Sequence, residues 1–239
     1  SANLSSDSSA KGPSYPAITE NGQDGHKFIT THLTDPEGSG ITNDSMKFTN
    51  PININSRRFT AVIICDLTPT VLPADMRFFQ LNGSDNGKFF FMWDEFSVFD
   101  RLWVQREKTG STTRFAYGAN SNQYYDDVVG GDNHYNFNWF TVVAESDGTI
   151  SIYARGIKID VANSGAFDDT TIADKGVVSY LFDGRTSSTS ITTTSNIALG
   201  SNIYEVMMFD ESLSHKQLYS IDMYIKNKYN SYQFGRVNG

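Results

Sequence analysis

Residues 117–136, Tyr-Gly-Ala-Asn-Ser-Asn-Gln-Tyr-Tyr-Asp-Asp-Val-Val-Gly-Gly-Asp-Asn-His-Tyr-Asn, concentrate the groups best suited to recognition chemistry. A sugar presents a flat apolar C–H face edged by hydroxyls, so its site needs an aromatic ring to stack on and Asn, Asp or Gln to pair with the hydroxyls. This stretch supplies both. It is too polar for a core, and Gly130-Gly131 permits the irregular backbone of a rim loop, where binding residues commonly sit. The candidate ligand contacts are Tyr124, Tyr125, Asp127, Asn133 and Tyr135, together with Trp93, which stands beside Asp94-Glu95 at an expected strand end. The same segment is equally consistent with a long polar loop whose tyrosines simply lie on the surface.

Other chemistries find less support. The four histidines, His26, His32, His134 and His215, are far apart, with no His-Glu-x-x-His pair, no Gly-x-Ser-x-Gly elbow and no Gly-rich phosphate loop opening a helix. No catalytic residue and no metal ligand is assigned. Cys65 is the single cysteine and lies inside the apolar run 59–65, so it reads as a small buried hydrophobe that can form neither an internal disulfide nor a thiolate metal cluster. A net charge of −8 with no basic run argues against a nucleic-acid partner, and no apolar run approaches the length of a membrane span, so no membrane insertion is expected.

The elements that must position these groups are strands. Trp139-Phe140-Thr141-Val142-Val143-Ala144 and Thr149-Ile150-Ser151-Ile152-Tyr153-Ala154 are β-rich runs joined by Ser146-Asp147-Gly148, where Asp-Gly supplies the positive φ of a hairpin turn. Arg155-Gly156 gives a second turn, and 157–159 begins a third strand. Residues 59–66 are nearly continuous in apolar side chains and predict a strand buried on both faces. Further strands are expected at 77–81, 88–93, 96–104, 115–117, 177–182, 196–199 and 204–209, with one or two short edge strands within 28–48. One helix stands out: Ser214-His215-Lys216-Gln217 has capping-box spacing, and Leu218, Ile221, Tyr224, Ile225 and Tyr229 fall on one face. Abundant Phe (17) and Tyr (12), with only 19% charged residues, favour strands over amphipathic helices. With 239 residues and 38% hydrophobic side chains, one large all-β domain is expected at 26–239, preceded by a flexible arm at 1–25.

The hairpin also carries a resemblance. A Trp-led strand, Asp-Gly, a strand ending Ile152-Tyr153 and a Gly turn, followed downstream by Tyr204-Glu205-Val206-Met207-Met208-Phe209-Asp210-Glu211-Ser212-Leu213-Ser214, resemble the laminin-G-like, concanavalin A-like jelly-roll family. The match is best over the C-terminal hundred or so residues. It implies an all-β, two-sheet antiparallel β-sandwich of jelly-roll type with one short C-terminal helix. Laminarinase-type glycoside hydrolases share that sandwich and carry Glu-x-Asp-x-x-Glu on one strand; aligning Glu95 with the first position puts Ser97 at the Asp and Asp100 at the acid Glu, so two of three positions depart. Calcium is the one cofactor the resemblance permits, with Asp85, Asn86, Asp126, Asp127 and Asp132 as oxygen donors, but no calcium-loop spacing is present and no cofactor is expected.

The function so implied is a non-catalytic, lectin-like carbohydrate-recognition module. Its partner would be a cell-surface glycan or polysaccharide, and its location extracellular or on a virion surface. Such domains occur in bacteriophage receptor-binding, tail-fibre or capsid-decorating proteins and in secreted bacterial adhesins. The alternatives are a structural virion component that makes protein contacts, with a homo-oligomer or virion partner on the arm, and a laminarinase-type hydrolase.

Overall fold

A computed structural model of the chain describes residues 4–6, 17–19, 28–30, 46–55, 58–66, 75–83, 88–96, 99–107, 114–118, 137–159, 161–163, 175–181 and 202–229. In chain order the strands are β1 (Leu4–Ser6), β2 (Ala17–Thr19), β3 (Phe28–Thr30), β4 (Met46–Asn55), β5 (Phe59–Asp66), β6 (Asp75–Gly83), β7 (Lys88–Phe96), β8 (Phe99–Glu107) and β9 (Arg114–Gly118). They continue as β10 (Phe137–Ala144), β11 (Ile150–Ala154), β12 (Ile157–Lys158), β13 (Val161–Asn163), β14 (Lys175–Leu181) and β15 (Asn202–Phe209), and the helix α1 (His215–Lys228) follows. The described chain is therefore antiparallel β-structure with one helix, in two sheets. One is ordered β1-β4-β14-β6-β7-β8-β9-β13 and the other β12-β11-β10-β5-β15-β3-β2. Two segments within 1–25 are edge strands, β1 on β4 and β2 on β3.

β5 is the centre of the seven-stranded sheet, hydrogen-bonded to β10 on one side and β15 on the other. Its sequence explains the position. Every residue from Phe59 to Cys65 is fully buried, because the strand is covered on both faces. On one face the Phe59 ring meets Phe79 of β6 edge-on, with centroids 6.2 Å apart, which joins the two sheets. On the other, Val62 and Ile64 pack with Trp139, Ile225 and Tyr229 beneath the helix. Alternation along the strand assigns each side chain to one of these contacts.

The β10–β11 hairpin closes over Ser146-Asp147-Gly148. The Glu145 N–H donates to the Thr149 carbonyl at 2.9 Å, and only Gly148 takes a positive φ, 88°. Asp147 contributes differently from the Asp-Gly expectation: its carboxylate accepts the Thr149 N–H at 2.9 Å, which lowers its pKa. In β4, Pro51 has no N–H to give to a ladder, and the pairing with β14 jumps from Ile52↔Val178 to Lys47↔Tyr180 around it. The strand expected at 196–199 lies outside the described residues.

Candidate functional site

A concavity lies between α1 and the β10–β11–β12 end of the seven-stranded sheet. Its floor is built by register: Thr141 on β10 pairs directly with Tyr153 on β11, so the two side chains stand side by side on the face that α1 covers, and Trp139 is on the same face. The Arg155-Gly156 turn closes one end. Both residues have positive φ, 51° and 78°, as a tight two-residue turn between twisted strands requires. Arg155 tolerates this conformation while its Nε–H donates to the Asn138 side-chain oxygen at 2.8 Å, with both residues buried. Burial lowers the Arg155 guanidinium from its ordinary value.

The roof is α1. Its first turn is fixed by the Ser214 backbone N–H donating to Gln217 Oε1 at 2.8 Å, one arm of the expected capping box, and Lys226 and Lys228 occupy the last turn, where the helix dipole favours cations. The preceding loop is anchored to the sheet. Ser212 Oγ donates to the Ala144 carbonyl at 2.6 Å, and the Leu213 N–H donates to Thr60 Oγ1 at 2.9 Å. The face α1 buries differs from the sequence expectation at two positions. Tyr224 is 42% exposed, whereas Asp222 is buried among Leu218, Ile221 and Ile225. The reason is a partner that the apolar pattern does not register: Trp139 Nε1–H donates to Asp222 Oδ1 at 3.1 Å, and Lys226 Nζ donates to Oδ2 at 2.6 Å.

Gly156 completes the seat. A Cβ there would stand 2.5 Å from Asp222 Oδ1, so only glycine lets the turn approach the carboxylate. The result is an open pocket of about 70 Å³. Trp139, Thr141, Tyr153 and Asp222 line its depth, and His215 and Tyr219 line it from the first turn and a half of α1. Partial burial raises the Tyr153 phenol above its ordinary value.

A second polar cluster pins the end of the helix. Glu205 on β15 accepts from Lys228 Nζ at 2.7 Å, from the Tyr229 hydroxyl at 3.1 Å and from the Tyr224 hydroxyl at 3.2 Å. Partial burial works to lower the Lys228 ammonium, but its hydrogen bonds to Glu205 and Tyr224 outweigh this and hold it above its ordinary value. Burial, reinforced by the Glu205 charge, raises the Tyr229 phenol. The cluster is saturated with internal partners and acts as a clamp.

Of the site residues expected from sequence, Trp93 lies in β7, with register partners Met76 and Leu102. Tyr124, Tyr125, Asp127, Asn133 and Tyr135 lie outside the described residues, in the connection from β9 of one sheet to β10 of the other; the calcium-donor candidates Asp85, Asn86, Asp126, Asp127 and Asp132 also lie outside them. Among the described residues, no group of three or more His, Cys, Asp or Glu is arranged to hold a metal, and no helix is long and apolar enough to cross a membrane. The hydrolase alignment is corrected by the backbone. Glu95, next to last in β7, and Asp100, second in β8, are register partners on two neighbouring strands, whereas the resembled pattern has its acids along one strand. The pocket residues Asp222, Tyr219 and Gly156 were missed. The one legible signal was an acid breaking the apolar stripe of an otherwise well-patterned helix.

No family profile matches the chain, and no curated protein matches it. Solved structures do. The binding domain of Paraclostridial Mosquitocidal Protein 1 superposes with a TM-score of 0.60 at 13% identity, over 95% of this chain and 48% of that one. The botulinum neurotoxin serotype D ligand binding domain in complex with N-acetylneuraminic acid gives 0.57 at 8% identity, over 93% and 46%. The receptor binding domain of botulinum neurotoxin D gives 0.54 at 11%, over 93% and 47%. The chain thus spans about half the length of each of these domains and shares their fold.

Proposed function

We propose that this chain is a non-catalytic carbohydrate-recognition module of a larger receptor-binding protein, built as a concanavalin A-like jelly-roll sandwich and acting outside the cell on a surface glycan. The observation that carries the reading is the likeness in fold, over more than nine-tenths of the chain, to toxin domains whose work is binding. One of them was solved with a sialic acid; that sugar belongs to the whole neighbour, of which this chain matches about half. The chemistry of residues 117–136, aromatic rings among Asn, Asp and Gln, supports the reading independently of the fold. Tyr124, Tyr125, Asp127, Asn133 and Tyr135, with Trp93, are the proposed contacts of the rim loop. The test is a glycan array with and without calcium, run on the wild type and on Tyr124→Ala/Tyr125→Ala. Selective binding that the variant loses supports a rim-loop lectin site. Silence across the array in both conditions refutes carbohydrate recognition and favours an assembly component.

A further inference from the structure

The pocket under α1 is built from the parts a sugar subsite needs, far in sequence from the rim loop. Tyr219 is 63% exposed, an aromatic ring left in water at the mouth of the recess. Behind it stand the Thr141 hydroxyl, the Tyr153 phenol and the Asp222 carboxylate. A carboxylate offers about four acceptor positions. The indole of Trp139 takes one on Oδ1 and Lys226 one on Oδ2, so each oxygen keeps acceptor capacity for a ligand hydroxyl or N–H.

Charge and size narrow the ligand. Lys226 pairs with Asp222 at 2.6 Å, so the two charges offset each other and leave the recess no net charge from this pair to attract either a cation or an anion. A neutral ligand rich in hydroxyls remains. About 70 Å³, at roughly 10–15 Å³ of such space for each water, is room for about five waters, enough for an exocyclic substituent and part of the ring that bears it. The rest of the ring lies at the mouth, against the exposed Tyr219. Gly156 keeps the far wall free of a side chain.

We propose that this recess is a subsite for a neutral hexose or N-acetylhexosamine unit. The exocyclic hydroxymethyl or acetamido group enters toward Asp222 and Thr141, and the apolar face of the ring rests on Tyr219. The inference rests on the carbohydrate-binding reading above and adds to it a second site and a preference for uncharged sugar.

The test compares the wild type with Tyr219→Ala, Tyr219→Phe, Thr141→Val and Tyr124→Ala/Tyr125→Ala on one array carrying neutral and sialylated glycans, each variant first shown to melt as a folded protein. The expected result is binding to neutral glycans that falls roughly tenfold in Tyr219→Ala, is kept in Tyr219→Phe and weakens in Thr141→Val. If the wild type binds but only the Tyr124/Tyr125 variant loses affinity, the subsite is overturned and the lectin reading stands. Tyr219-dependent binding confined to sialylated glycans overturns the ligand class. A wild type that binds nothing on the array overturns both readings together, an outcome distinct from the others because no variant is needed to see it.

Discussion

Replacing Asp222 with alanine removes the carboxylate that ties the middle of α1 to the β10–β11 end of the sheet beneath it. The indole N–H of Trp139, which is 3% exposed, then loses a charged acceptor at 3.1 Å, a loss of about 1.5–3 kcal/mol. The Lys226 pair adds less than about 1 kcal/mol, because the lysine side chain is 30% exposed and solvent screens it. Alanine returns a few tenths through helix propensity, so the net expectation is about 2–3 kcal/mol. For a chain of 239 residues that corresponds to a fall in Tm of roughly 4–12 °C. Trp139→Phe loses the same hydrogen bond together with part of the ring, and the double variant loses the bond only once. A double-mutant cycle, followed by circular dichroism in urea so that the lost indole does not alter the signal, is therefore expected to give a coupling of about 1.5–3 kcal/mol. Additivity within about 0.5 kcal/mol would show that the bond does not hold the helix down. Asp222→Asn keeps an acceptor without the charge and is expected to fall between the wild type and Asp222→Ala.

Two further outcomes are expected. Gly156→Ala combines a φ of 78° with a Cβ 2.5 Å from Asp222 Oδ1, so its loss in a urea titration is expected to exceed the roughly 1–2 kcal/mol of the left-handed conformation alone. A smaller loss would mean that the turn and the carboxylate separate easily. Stability at high pH follows from Lys228 and Tyr229, whose folded values both lie above the ordinary 10.5 and 10.0. The unfolded chain then releases these protons first, so their contribution is complete below about pH 10 and is lost as the pH climbs beyond it. The urea midpoint is expected to fall as the pH rises above about 10 in the wild type and to fall less in Glu205→Gln; equal slopes would count against the clamp.

The elements with strong periodicity were legible from sequence. The apolar run 59–66 is β5 to the residue, because burial on both faces leaves no polar position to blur its ends. The β10–β11 hairpin and α1 are legible for similar reasons, a turn glycine and a capping serine marking where each pattern stops. The pocket was not legible. Asp222 looks like a solvent-facing acid until Trp139, 83 residues earlier, is placed opposite it, and no local pattern encodes that distance. Gly156 reads as an ordinary turn residue, although its second requirement, the nearness of Asp222, exists only once helix and sheet have met. The aromatic segment 117–136 shows the reverse case: its composition announces recognition chemistry, but its residue types alone do not fix a geometry.

The position of β5 also bears on how the chain is made. Ile63 pairs with Phe140 on one side and Val206 on the other, so the most apolar strand leaves the ribosome long before either neighbour exists. Until β10 is synthesised it is an unprotected edge on both sides, and until α1 follows β15 the Val62 and Ile64 side chains have no cover. Such long-range pairing delays folding and exposes sticky backbone to other nascent chains. During translation, residues 59–65 are therefore the stretch with most to gain from shielding by a holdase chaperone that recognises short apolar β-segments.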